Sequence, residues 1–169
     1  MIVNICFNST RPGIGLKRNR DRTTMRLYMA DTGLLVSQAF DEEVMASGDV
    51  YRKLLLGKPE FNEGMVFENM VAQMLTASGH KPYFYANPGK REASERMEID
   101  FLIAKNAITN RHNVFPLEVK TGSRYTLSSL RKFMALYQEQ LHIPYVIHAG
   151  DWNCEDGIIF LPAYMAGLL

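Results

Sequence analysis

Two acidic residues and a lysine in the middle of the chain, Asp100, Glu118 and Lys120, could together bind a metal ion. The segments 98–103 (Glu-Ile-Asp-Phe-Leu-Ile) and 115–120 (Phe-Pro-Leu-Glu-Val-Lys) alternate polar and apolar residues, which predicts two strands. Because strand side chains alternate between faces, Glu118 and Lys120 should share one face, and a neighbouring strand would bring Asp100 beside Glu118. Carboxylates suit Mg²⁺, and an ammonium can hold a water or an oxyanion.

The apolar residues of the same two strands predict a buried side. Ile99, Phe101 and Ile103 are expected to share the face of the first strand opposite Asp100. Leu117 and Val119 are expected to do the same in the second strand. The two predicted strands would therefore form a sheet with one polar spot over an apolar core.

A second candidate acid, Glu68, precedes these strands in a strongly amphipathic segment. Apolar residues recur there at helical spacing from Gly64 to about Gly79, which predicts a helix. These residues are Phe67, Met70, Val71, Met74 and Leu75. Glu68 lies at the margin of this stripe, where it can face the polar spot of the sheet. When Glu68 is taken alone, a solvated helix carboxylate is the better explanation.

The rest of the chain predicts an α/β protein with flanking helices. From the amphipathic helix onward, the expected order is helix, three strands, helix, strand. The other predicted elements are a strand over 25–30, a helix that begins at Asp31 or Thr32, a short helix over 51–56, a strand over 81–85, a helix capped by Thr126 or Ser128, and strands over 144–148 and 158–161.

Residues 1–24 are predicted to be an irregular, basic segment that precedes a single domain over 25–169. The basic cluster around them consists of Lys17, Arg18, Arg20, Arg22 and Arg26. It is interpreted as a solvated loop, or alternatively as a contact to a nucleic-acid backbone.

Composition excludes several functional classes. The chain has 169 residues, of which 47% are hydrophobic, and a formal net charge of +1, which fits one globular domain without a general attraction for membranes or nucleic acids. Cys6 and Cys154 lack metal-site spacing and are expected to be free thiols, so we predict a cytoplasmic protein without a membrane segment. The GxxxxGK[ST] pattern is absent from the sequence, so no ATP site of that type is expected.

The spacing of Asp100 and Glu118-Val119-Lys120 resembles the PD-(D/E)XK nuclease motif, with Ile99 in the place of the proline, which is not a ligand. Glu68 matches the additional helix acid of that superfamily. More narrowly, four segments resemble the C-terminal domain of unknown function of predicted prokaryotic AAA-type ATPases. They are 28–35 (Tyr-Met-Ala-Asp-Thr-Gly-Leu-Leu), 64–69 (Gly-Met-Val-Phe-Glu-Asn), 98–101 (Glu-Ile-Asp-Phe) and 118–122 (Glu-Val-Lys-Thr-Gly).

This resemblance implies a restriction-endonuclease-like mixed sheet with an αβββαβ core, and a metal-dependent activity on DNA phosphodiesters. It implies that Asp100, Glu118, the Val119 carbonyl and Glu68 hold Mg²⁺ or Mn²⁺, and that Lys120 assists catalysis. The ATPase module that usually precedes such a domain is absent from this sequence, which suggests a truncated or separately expressed C-terminal piece with an ATPase as a possible partner. The alternative is a non-catalytic module that docks DNA or protein and retains the acidic pocket.

Overall fold

The computed structural model describes residues 2–13, 15–39, 63–88, 95–104, 113–122 and 124–169, which form a mixed α/β structure around one large sheet. The sheet has eight strands, mostly antiparallel, in the order β2-β1-β3-β4-β5-β6-β8-β7. The strands are β1 (Val3–Ser9), β2 (Arg20–Met29), β3 (Tyr83–Asn87), β4 (Met97–Ala104), β5 (Val114–Lys120), β6 (Tyr145–His148), β7 (Asn153–Glu155) and β8 (Ile158–Pro162).

Helices cover both faces of this sheet. In the described part of the chain they are α1 (Thr32–Ala39), α2 (Glu63–Ala77), α3 (Ser128–Leu136) and a 3₁₀ helix (Ala163–Leu168). The predicted order from α2 onward, helix, three strands, helix and strand, is confirmed. The short helix expected over 51–56 lies outside the described residues. No helix that the structure describes is long and apolar enough to span a membrane.

Two apolar clusters hold the helices to the sheet. On one face, Val71 and Leu75 of α2 pack with Phe101, Leu117 and Ile147, which are fully or almost fully buried. On the other face, the amphipathic helix α3 contributes two fully buried residues to a cluster with β4 and β6. These residues and their main partners are Leu130, Phe133, Ile99, Leu102 and Val146. The sheet is therefore buried on both sides at its centre.

Strand β4 does not alternate as expected. Between β3 and β4 the register passes from Tyr83–Leu102 to Tyr85–Ile99, so three steps along β4 match two along β3. This extra residue is a β-bulge, and it places Ile99 in the cluster with α3 while Phe101 lies in the cluster with α2. The prediction that Ile99, Phe101 and Ile103 share one face is wrong, because strict alternation fails across a bulge.

The N-terminal segment is also different from the prediction. Residues 1–24 were expected to be irregular, but Val3–Ser9 is a strand and β2 already begins at Arg20. The two strands pair antiparallel, and β1 pairs in parallel with β3, so both belong to the central sheet. An alternating polar and apolar pattern is weak in β2, because the strand lies at the sheet edge and much of it is exposed.

Candidate functional site

A cavity of about 610 Å³ lies between β2, α1, α2 and the adjacent ends of β4 and β5. Glu68, Asp100, Val119 and Lys120, four of the residues singled out from the sequence, line it together with Arg26. We call this cavity the acidic pocket. Its residues come from five separate elements, so the folded sheet is needed to assemble it.

Strand β2 and helix α2 form one wall of the acidic pocket. Arg26 and Tyr28 are two residues apart in β2, so both point towards α2. The Tyr28 hydroxyl donates a hydrogen bond to Glu68 Oε1, and Arg26 Nη1 donates to the same oxygen at 3.0 Å. Glu68 is therefore not a solvated helix carboxylate, because two donors from β2 hold it in the pocket.

A buried asparagine fixes the register between these two elements. Asn69 is 3% exposed, and its Oδ1 accepts the Met29 N–H at 2.7 Å. Its Nδ2 donates to the Met29 carbonyl at 3.2 Å and to Thr32 Oγ1 at 3.0 Å. Next to it, Gln73 Oε1 accepts the Thr32 N–H at 3.0 Å at the start of α1. These bonds position the neighbouring Glu68 against β2.

The other wall is made where the β4–β5 ladder ends. The paired residues run from Ala104–Val114 to Phe101–Leu117. One step beyond, Asp100 Oδ2 accepts the Val119 N–H at 2.8 Å. A side chain thus replaces a main-chain carbonyl as the acceptor. Because Asp100 belongs to the bulge, its carboxylate lies on the α2 side of the sheet with Arg26 and Glu68.

Arg26 lies among three carboxylates. Its Nη1 is 3.0 Å from Glu68 Oε1 and 3.8 Å from Asp100 Oδ1, and its Nη2 forms an ion pair with Glu98. The guanidinium carbon lies over the Phe84 ring, 4.6 Å from its centre, in a cation–π contact. The Arg26 side chain is 25% exposed and lines the pocket.

Glu118 and Lys120 form a second ion pair at the pocket edge. Lys120 Nζ lies 2.5 Å from Glu118 Oε2, and the Glu118 side chain is only 5% exposed. Glu118 alternates with Leu117 and Val119, which pack on the α2 side, so it points to the other side of β5. It is therefore not part of the cavity wall, although its charge is close enough to affect Asp100.

Asp100 and Glu118 resist ionisation. Burial, followed by the charges of Glu118 and Glu68, raises the pKa of Asp100 from 3.8 to about 7. Burial also raises the pKa of Glu118, against the opposing effect of its hydrogen bond with Lys120. For Lys120, burial lowers the pKa, but the hydrogen bond with Glu118 and the nearby carboxylates outweigh it and favour the charged ammonium.

The pocket residues that sequence reasoning missed are Arg26 and Tyr28. Arg26 was assigned to a basic cluster on a solvated loop or on a nucleic-acid contact, and the structure instead places it among acids inside the pocket. Tyr28 was only part of a quoted motif. Their spacing of two within a strand was the available signal, but nothing in the sequence indicated which face of β2 meets α2.

The charged groups in and around the acidic pocket are more often negative than positive. The charged groups in and around it are the carboxylates of Glu68, Glu98, Asp100 and Glu118 and the cations of Arg26 and Lys120. With all of them ionised, four negative and two positive charges leave a formal charge of −2, which one Mg²⁺ would balance. As arranged, however, no three His, Cys, Asp or Glu side chains among the described residues are grouped closely enough to hold a metal ion.

Comparison with known proteins identifies a family but no function. Residues 63–165, which include α2 and β3 to β8, match the model of the family described as Domain of unknown function (DUF4143). This match covers more than half of the chain. No curated protein matches the chain. No solved structure matches it either.

Proposed function

The chain belongs to the DUF4143 family, and we propose that it is a metal-dependent, nuclease-like domain that hydrolyses phosphodiester bonds of DNA at the acidic pocket. The proposal rests on one observation: Glu68, Asp100, Val119 and Lys120 line the same cavity although they come from three different elements. These are the residues that the nuclease motif would require, together with Glu118 beside them.

The arrangement of elements supports the same proposal. The core reads α2, β3, β4, β5, α3 and β6, with antiparallel pairs β3–β4 and β4–β5 and a parallel pair β5–β6. This is the αβββαβ order of a restriction-endonuclease-like sheet, and we propose that the domain has this fold. Asp100 and Glu118 lie just beyond the last paired residues of β4 and β5, Phe101 and Leu117.

In this proposal, the side chains of Asp100 and Glu68 and the carbonyl of Val119 would hold Mg²⁺ or Mn²⁺, and Glu118 would act beside them through its charge and its ion pair with Lys120. The bound cation would polarise the scissile phosphate and lower the pKa of a water. Lys120, which is favoured in its ammonium form, would donate hydrogen bonds to the attacking water or to the developing negative charge on the phosphate. Tyr28 would hold the Glu68 carboxylate in position through its hydroxyl.

A second candidate function is a docking module for DNA or protein, without turnover. It is favoured by the ion pairs of Arg26 with Glu68, Glu98 and Asp100, which partly neutralise the acids without any metal. Domains of a nuclease-like fold can serve binding alone, because fold does not determine activity. An ATPase is a possible partner in either case.

The two candidates are separated by a cleavage assay on plasmid and single-stranded DNA with Mg²⁺ or Mn²⁺. We expect Asp100→Asn and Lys120→Ala each to lose about 100-fold in cleavage rate, as when a charge-stabilising group is removed from an active site. Asp156→Asn is the matched control, because Asp156 pairs with Arg131 on an exposed surface. Undiminished cleavage by both pocket variants would contradict the nuclease proposal, and DNA binding without cleavage by the wild type would favour docking.

A further inference from the structure

The guanidinium of Arg26 occupies the position between carboxylates that a bound cation would need. It contacts Glu68 from α2 and both Glu98 and Asp100 from β4. These three acids are otherwise brought together without enough positive charge, since the other cation of the site, Lys120, is paired with Glu118. A guanidinium can serve several carboxylates at once, because it presents five N–H donors in one plane.

We propose that Arg26 is the resident cation of the acidic pocket, and that a divalent metal ion enters only by displacing it. This inference rests on the metal site of the proposed function and adds to it a residue that controls metal occupancy. It also explains why no three acidic side chains among the described residues are close enough together to bind a metal ion: the acids are arranged around Arg26.

The surroundings of Arg26 suit such an exchange. Its side chain is 25% exposed, and its position in the edge strand β2 leaves a route towards solvent. The Phe84 ring contacts one side of the guanidinium, but the carboxylates that hold it are the same groups that a metal would bind. A metal ion and Arg26 therefore compete for the carboxylate oxygens of Glu68 and Asp100. Released from them, the guanidinium would remain beside the pocket mouth.

Competition predicts an unusual effect of mutation on metal binding. Removing a cation from an acidic site should tighten binding of Mn²⁺, whereas removing a ligand should weaken it. We expect Arg26→Gln to bind Mn²⁺ at least tenfold more tightly than the wild type, which corresponds to about 1.4 kcal/mol. We expect the Mn²⁺ affinity of Arg26→Lys to lie between those of the wild type and Arg26→Gln, because an ammonium keeps the charge but not the planar arrangement of donors.

The measurement is isothermal titration of the full chain with Mn²⁺ alone, after removal of bound metals with a chelator. Arg20→Gln is the matched control. Arg20 is in the same strand and its guanidinium lies 4.5 Å from the centre of the Phe7 ring, so the variant removes the same charge and the same kind of ring contact outside the pocket. This control should bind Mn²⁺ with the wild-type affinity.

A second readout covers the case in which Arg26→Gln does not fold. In the wild type, the side-chain Nε–H signal of Arg26, assigned by its loss in Arg26→Lys, should shift as diamagnetic Mg²⁺ is titrated. A signal that stays unchanged while Mg²⁺ binds would overturn the proposal, as would equal or weaker Mn²⁺ affinity of Arg26→Gln.

The outcomes also distinguish this inference from the proposed function. If the wild type binds Mn²⁺ and cleaves DNA but Arg26→Gln binds no more tightly, the competition is wrong and the nuclease proposal stands. If the folded Arg26→Gln variant and the wild type both fail to bind Mn²⁺, the metal site itself is wrong and both proposals fall.

Discussion

At the scale of single residues, the behaviour of Asp100 is determined by its surroundings. Only 20% of its side chain is exposed, and the carboxylate lies close to Glu118 and Glu68. Burial and these two charges raise the pKa of Asp100 to about 7. A carboxylate of this kind stays partly protonated at neutral pH, when no metal is bound. In the unfolded chain the same group would ionise near its usual pKa of 3.8.

This difference predicts that stability falls as the pH rises. Between about pH 4 and pH 7 the folded state holds a proton on Asp100 that the unfolded state has lost, so acid favours the folded state. With about 1.4 kcal/mol for each pKa unit, Asp100 should lower the free energy of unfolding by about 3 kcal/mol between pH 5 and pH 8. Asp100→Asn should lack this loss, because an amide does not ionise. The variant should still fold, since its amide oxygen can accept the Val119 N–H.

The measurement is urea unfolding of both proteins at several pH values, in a chelator. The informative quantity is the difference in unfolding free energy between the variant and the wild type, because contributions that the two proteins share cancel in it. The exposed Asp156→Asn should show the wild-type pH dependence. A difference between Asp100→Asn and wild type that does not change from pH 5 to pH 8 would contradict the assignment.

Residue types and spacing identified part of the site and could not identify the rest. Asp100, Glu118 and Lys120 could be chosen from the sequence because two strands carry them at spacings that suit a metal. Arg26 could not, because it lies in a run of basic residues and its role depends on contacts with acids 42 and more positions away. An ion pair between distant segments leaves no periodic signal in a single sequence.

At the scale of secondary-structure elements, the acidic pocket depends on how α2 is attached to β2. Asn69 is the main polar link, because it exchanges two hydrogen bonds with the Met29 backbone and one with Thr32. Glu68 is the preceding residue of the same helix, and it contacts Arg26 and Tyr28 only in this register. The buried amide of Asn69 therefore positions the carboxylate of the neighbouring Glu68, with which its own side chain forms no hydrogen bond.

We predict that Asn69→Ala destabilises the protein by about 2 kcal/mol, within the ~1–3 kcal/mol cost of a buried polar group that loses its partner. The part-buried Met29 backbone would lose both of its bonds to the amide. Urea unfolding measures this change. Asn153→Ala is the matched control, because Asn153 is an exposed asparagine whose Oδ1 accepts the next backbone N–H. Equal losses in the two variants would show that Asn69 is not a link between elements.

Element type was more predictable than element geometry. The periodicity of Phe67, Val71 and Leu75 correctly predicted α2, whereas the face of Asp100 in β4 depended on a bulge. A bulge adds one residue opposite the partner strand, so it can be recognised only from the pairing of β3 with β4. The apolar residues of β4 are buried on both faces, which hides the change of parity in the sequence.

At the scale of the whole molecule, the sheet joins segments that are far apart along the chain. The edge pair β1–β2 is attached through the parallel contact of β1 with β3, which follows α2 in the sequence. Sequence pattern cannot specify such a partner, because nothing in residues 3–9 indicates which strand they pair with. The acidic pocket spans this junction, with Arg26 on one side and Asp100 on the other. Its integrity should therefore depend on the core beneath the central strands.

This dependence predicts that damage to the α3 cluster spreads to the far edge of the sheet. Phe133 is fully buried against the central strands, so Phe133→Ala should cost about 3–5 kcal/mol of stability. If the described sheet unfolds as one unit, the loss should appear equally in far-UV circular dichroism and in hydrogen exchange of the β1 amides. Leu136→Ala, on the same helix but at a 59% exposed position, should change neither by more than about 0.5 kcal/mol. Unchanged protection of β1 in Phe133→Ala would instead mean that the edge pair is held independently of the α3 cluster, and that the pocket wall carrying Arg26 unfolds separately from the wall carrying Asp100.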